Sequence, residues 1–158
     1  MIGMNILAGI ALAALFLFPL PAYALAETGM PQNDLTVQFD PGRGVIKGIS
    51  RISLPSGQIA RIKLTGIKVT AVSIHDRPLI VEPGTESITF TPKSADDILK
   101  IEYEAEFRSS PDNKPGMTKD NLISSEGIQL MENWHPAVEG LSFYRLTAVL
   151  PNEFEGIS

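Results

Sequence analysis

A chain of 158 residues, 44% hydrophobic and 20% charged, has apolar surface for one packed core, which excludes wholesale disorder and is too short for a multidomain enzyme. Thirteen basic against eighteen acidic side chains leave a formal charge of -5, a balance that repels a phosphate backbone and excludes nucleic acid as a natural partner. Cysteine is absent, so a disulfide framework, a thiolate metal site and a cysteine nucleophile are excluded as well.

No Asp, Glu, Lys or Arg precedes Glu27, and Ile6 to Phe18 is apolar apart from Gly9 until Pro19-Leu20-Pro21 ends the run. This is the layout of a signal peptide, residues 1–26. Ala22-Tyr23-Ala24 and Ala24-Leu25-Ala26 both offer the small-x-small pattern of a cleavage site, the second placing the cut before Glu27. An n-region without Lys or Arg leaves only the terminal amine to orient the segment, so an uncleaved membrane anchor is the alternative. The chain is accordingly expected to be exported, to the periplasm or outside the cell, with membrane attachment only if the segment stays.

Residues 27–33 carry Gly29, Pro31 and Gln32 without periodicity and read as a flexible lead-in. From 34 to 158 alternation dominates. Leu35, Val37 and Phe39 share one strand face, Asp40 to Gly44 supplies turn chemistry, and Ile46, Gly48, Ser50, Ile52 and Leu54 line a second strand, which predicts a hairpin. Pro55-Ser56-Gly57 turns the chain again. Ile62 and Leu64, then Val72 and Ile74, predict two further strands separated by Gly66, with His75 to Pro78 as the next turn. Ser87 to Thr91 predicts a short strand with Ile88 and Phe90 inward. Ile98 to Phe107 is the clearest element: Leu99, Ile101, Tyr103, Ala105 and Phe107 alternate with Lys100, Glu102, Glu104 and Glu106, one face core and the other wet. Arg108 to Asn121, with two prolines, predicts a long exposed loop. Tyr144, Leu146, Ala148 and Leu150 resume the alternation. No window sustains a helical period, so the predicted class is all-β, a curved antiparallel sheet or β-sandwich.

The stretch Glu126-Gly127-Ile128-Gln129-Leu130-Met131-Glu132-Asn133-Trp134-His135-Pro136, followed by Tyr144-Arg145-Leu146-Thr147-Ala148-Val149-Leu150-Pro151, resembles the N-terminal β domain of the M1 family of zinc metallo-aminopeptidases. There a Trp-x-Pro or Phe-Pro corner leads into a Tyr-Arg-Leu-Thr-x-x-Leu-Pro strand. Asp34 to Pro41 adds an upstream match, so the resemblance runs from about Asp34 to Ser158. It implies a domain that covers the substrate cleft of a separate catalytic domain and lends a polar side chain to the cleft rim from the segment before the corner. By that resemblance Gln129, Glu132, Trp134 and His135 are the candidate rim or partner-contact residues. It also implies further strands after Ser158, and hence an open strand edge near Tyr144 to Leu150 that could capture a partner or aggregate.

The family's zinc motif, H-E-x-x-H, and its G-A-M-E-N-like segment do not occur in this sequence, so no catalytic residue and no cofactor is assigned to the chain; zinc belongs to full-length relatives. His75 and His135 are too few for the three protein ligands of a catalytic zinc site, and they read as a turn residue and a corner residue. Glu102, Glu104 and Glu106 share a strand face opposite the apolar one, which makes them a solvated row rather than an acid–base pair. Ser109-Ser110 and Ser124-Ser125 lack a G-x-S-x-G setting, and Gly42 and Gly44 belong to a hairpin turn rather than a phosphate loop. Trp134 reads as a packing residue. The sequence therefore predicts a non-catalytic exported β domain that docks a separate peptidase catalytic domain or is a truncated remnant of a peptidase. The alternative is a free-standing periplasmic module that binds peptides or glycans.

Overall fold

The computed structural model describes residues 29–107 and 120–151, so the expectations for segment 1–26 and for the loop from Arg108 to Lys119 lie outside the described residues. No helix occurs among them, and eleven strands follow one another: β1 Gln32–Asp40, β2 Val45–Ser53, β3 Ala60–Lys63, β4 Lys68–Ile74, β5 Arg77–Pro78, β6 Ser87–Phe90, β7 Ile98–Glu106, β8 Leu122–Ser124, β9 Gly127–Gln129, β10 Ala137–Val138 and β11 Phe143–Val149. The protein is all-β, as its alternating pattern predicts.

A six-stranded sheet in the order β11-β1-β2-β7-β4-β5 forms one layer. Alternation decides its faces. Leu35, Val37 and Phe39 of β1, Ile46 and Ile52 of β2, and Leu99, Ile101, Tyr103 and Ala105 of β7 are buried on one side, because a two-residue period sends successive side chains to opposite faces. A three-stranded sheet, β10-β3-β6, covers one end of that face. There Ile52, Leu54, Val72, Leu99 and Ile101 meet Ala60, Ile62, Leu64, Phe90 and Val138 in the larger core. The β8–β9 hairpin and the Trp134 corner cover the other end, with Ile123 and Trp134 packed on Leu35, Val37, Phe39, Ile46 and Ala105.

Turn chemistry sets the registers. Arg43 N–H donates both to the Asp40 carbonyl (3.2 Å) and to Asp40 Oδ1 (3.1 Å), closing the β1–β2 hairpin, which then runs without a slip from Asp40↔Val45 to Gln32↔Ser53. His75 and Asp76 both have positive φ, 49° and 59°, the pairing that a tight two-residue hairpin turn requires. The expected turn from His75 to Pro78 is therefore only its first half: Arg77 and Pro78 already pair with Ile74 and Ser73 as β5.

Two expectations change. The flexible lead-in ends earlier than residue 33, since β1 begins at Gln32 and Asn33 is only 3% exposed. A polar residue carries no alternation signal, yet this one is held inside by hydrogen bonds. The sheet is also not wholly antiparallel. β11 pairs with β1 in parallel, Gln32↔Phe143 through Gln38↔Val149, because the chain passes through β10 of the other sheet before it returns to the edge of the first.

Candidate functional site

The candidate residues Gln129, Glu132, Trp134 and His135 lie between β9 and β10, and hydrogen bonds from neighbouring loops hold the segment. Gln129 ends β9 half-buried, its Nε2 donating to the Asp120 carbonyl at 3.2 Å. The Glu132 side chain is exposed while its carbonyl accepts from Asn121 Nδ2 at 2.5 Å, and Asn121 Oδ1 accepts from Met131 N–H at 2.6 Å. Asn133 then takes a left-handed conformation, φ 56°, and its carbonyl lies so close to Gly66 that a Cβ there would overlap it. That left-handed step turns Trp134 inward, where it is 5% exposed.

His135 follows, half-buried, with its ring edge-on to Trp134 (centroids 4.4 Å, 72°) and tilted against Tyr144 of β11 (5.5 Å, 37°). Its Nδ1 lies 2.8 Å from the Pro136 carbonyl. A carbonyl only accepts, so this contact selects the tautomer with the proton on Nδ1 and leaves Nε2 as an acceptor. Burial lowers the His135 pKa, and the bond to Pro136 opposes that shift only in part. The imidazole is therefore neutral at neutral pH.

The Pro136 carbonyl accepts a second bond, from Asn33 Nδ2 at 2.9 Å, and Asn33 Oδ1 in turn accepts from Ser50 Oγ at 2.6 Å. A buried polar chain thus runs from Ser50 on β2 through Asn33 on β1 to the corner and, on its far side, to His135. Sequence reading misses Asn33 and Ser50 as members of the site, since neither breaks a pattern or belongs to a motif. Tyr144 was legible only as a strand residue. Tyr103 reaches the same face with its ring over Gly48; burial pushes its phenol upward, and the neighbouring Tyr144 phenol adds to that shift.

The structure therefore brings Trp134, His135 and Tyr144 together and leaves Gln129 and Glu132 tied to other partners or open to solvent. The geometry makes a hydrogen-bonded, packed corner with one neutral acceptor nitrogen. Among the described residues no group of three His, Cys, Asp or Glu side chains is placed to hold a metal ion. His75 stands at the β4–β5 turn, its Nε2 2.7 Å from Asp97 Oδ1. On the outer face of the large sheet, a shallow trough of about 370 Å³ runs between Thr36, Gln38, Lys47, Glu102 and Glu104. Its carboxylates are matched, Glu104 by Lys47 (3.2 Å) and Glu102 by Lys100 (2.7 Å), so the acidic row is a solvated, charge-paired surface, and such exposed pairs contribute little.

The chain matches no protein-family model, and no curated protein is significantly similar to it.

Proposed function

We propose that this chain is an exported, non-catalytic β domain of the kind that covers the substrate cleft of M1 zinc aminopeptidases, and that it docks a separately encoded catalytic domain. The observation that carries the reading is the rigid corner at Trp134-His135-Pro136 leading into β11. The corner is anchored from below by Asn33 and Ser50 and packed by Trp134, while Glu132 and Met131 stay exposed beside it. Such a preorganised surface loses little entropy on binding. The sequence resemblance places the partner contact in this segment, and the protein's part in catalysis is to position substrate, since the groups that polarise a scissile carbonyl and activate water reside on the partner.

An exposure of only 5% for Trp134 tells against the glycan-binding alternative, which needs an exposed ring face. The test is to add the chain to an M1 catalytic domain stripped of its own N-terminal domain, then to follow complex formation by calorimetry and cleavage of an aminoacyl anilide. Binding with recovered cleavage is expected, weakened by Glu132→Arg. No complex at about 100 μM protein, a concentration well above useful regulatory affinities, would sink the reading.

A further inference from the structure

The two edges of the six-stranded sheet are built differently. At one end stands β5, two residues long and containing Pro78, the kind of short, proline-bearing edge that resists pairing. At the other stands β11, seven residues with no proline and no bulge, since its register with β1 is unbroken. Every residue of β11 is exposed, including Phe143 (51%), Tyr144 (56%), Leu146 (46%) and Val149 (51%). Its single charge, Arg145, leans toward Asp34 of β1 at 3.9 Å rather than guarding the edge.

Phe143 N–H donates to the Pro31 carbonyl at 2.9 Å, so Phe143 turns its backbone groups toward β1. Alternation along the strand then turns those of Arg145, Thr147 and Val149 the same way, and those of Tyr144, Leu146 and Ala148 outward.

We infer that β11 is the interface of a two-fold symmetric homodimer, in which β11 pairs antiparallel with β11 of a second copy about a Leu146–Leu146 centre. That register, and no neighbouring one, uses all the outward-pointing groups: Leu146 opposite Leu146, and Tyr144 opposite Ala148 twice, about six hydrogen bonds across the axis. The side chains agree with it. Phe143 falls opposite Val149, Arg145 opposite Thr147, and no two like charges face each other, the condition cross-strand pairs require. An isologous contact of this kind closes after two copies, so it consumes both open edges. The half-exposed apolar side chains of β11 can bury at most on the order of 400 Å² per copy, below the range of stable interfaces, so the dimer is a weak one held largely by its backbone hydrogen bonds. The inference rests on the β11 edge and is independent of the proposed peptidase partnership.

Sedimentation velocity on the full chain, purified in the form the cell leaves it, is expected to show a monomer–dimer equilibrium with a midpoint in the range of about 1–100 μM, the affinity class of small interfaces. Ala148→Pro removes an outward N–H and none that faces β1, so it is expected to weaken the dimer at least tenfold while the circular dichroism spectrum and melting temperature hold. Leu146→Lys, which sets two ammonium groups opposite each other, is expected to do the same. The register has its own readout. The chain has no cysteine, so Leu146→Cys provides one thiol per copy, expected to cross-link efficiently with a short bismaleimide, whereas Leu79→Cys, on the opposite side of the sheet, is not. A wild-type chain that remains monomeric to several hundred micromolar, or dimers indifferent to Ala148→Pro and Leu146→Lys, would overturn the inference; the first result would leave β11 to a strand of another protein.

Discussion

The Tyr103 ring lies directly over Gly48: a Cβ built on Gly48 would overlap Cζ, Oη and Cε1 of Tyr103. The two residues are cross-strand partners of β2 and β7 on the core-facing side. The missing side chain of one makes the room that the other occupies, and Tyr103 is 1% exposed as a result.

Gly48→Ala tests that relationship. In an open strand the change would stabilise by about 0.5–1 kcal/mol, because glycine loses more backbone freedom on folding. Here the added methyl meets a buried aromatic ring, and overpacking is expected to destabilise by about 1–3 kcal/mol instead. Urea denaturation reads the sign. Combined with Tyr103→Leu, the loss is expected to be smaller than the sum of the two single changes, since the second removes the ring the first collides with. A stabilised Gly48→Ala would show that the ring moves freely.

Tyr103 Oη is buried and has no hydrogen-bond partner among the described residues. Removing it by Tyr103→Phe is expected to leave stability at pH 7 unchanged or slightly raised, as deletion of an unpartnered hydroxyl costs no bond. The alkaline limb should differ. Burial raises the folded-state pKa above its ordinary value of 10.0, so the stability tied to the neutral phenol is fully present below the unfolded pKa and is lost as pH rises above about 10. Tyr103→Phe should flatten that alkaline loss in thermal melts from pH 9 to 11. Identical alkaline limbs would show that the phenol ionises without cost.

Asn33→Ala breaks the hydrogen-bonded link between β1, β2 and the aromatic corner, leaving Ser50 Oγ and one of the Pro136 carbonyl's bonds without Asn33. Stranding buried polar groups costs about 1–3 kcal/mol each, so a loss of about 2–3 kcal/mol is expected. The sole tryptophan, Trp134, reports the local consequence: its emission, expected to be blue in the native protein because the ring is buried, should move red in the variant before global unfolding. An unshifted spectrum with unchanged stability would mean that packing of Trp134 on the Leu35 cluster holds the corner without help.

The acid limb has a separate origin in His135. Burial holds its pKa below the ordinary 6.5, so the contribution of the neutral ring is present above about pH 6.5 and is lost as pH falls through the depressed folded-state value, where the unfolded chain has already taken up its proton. His135→Phe should leave stability at pH 7.5 close to wild type and remove the part of the loss seen between pH 6.5 and 5. Wild-type acid behaviour in the variant would assign that limb to other groups; Asp97, whose carboxylate is held below its ordinary 3.8 first by the bond from His75 and then by the Lys93 amide, loses its contribution only at more acid pH.

What the sequence determined by itself was local. Strict alternation in Leu35–Phe39, Ile46–Leu54 and Leu99–Phe107 decided class, strand position and buried face, because a two-residue period has a single consequence for side-chain direction. Its turn residues likewise decided the β1–β2 hairpin. Short strands such as β5, β8, β9 and β10 escaped, since two or three residues hold no period to read. Only the tertiary structure decided the rest: that Asn33, polar and in an unpatterned stretch, is buried by bonds to Ser50 and Pro136; that Trp134 turns inward through a left-handed Asn133; and that β11 returns parallel to β1 as an exposed edge strand. Each depends on partners far away in the chain, and sequence spacing carries no information about which distant groups will satisfy a buried donor or complete a sheet edge.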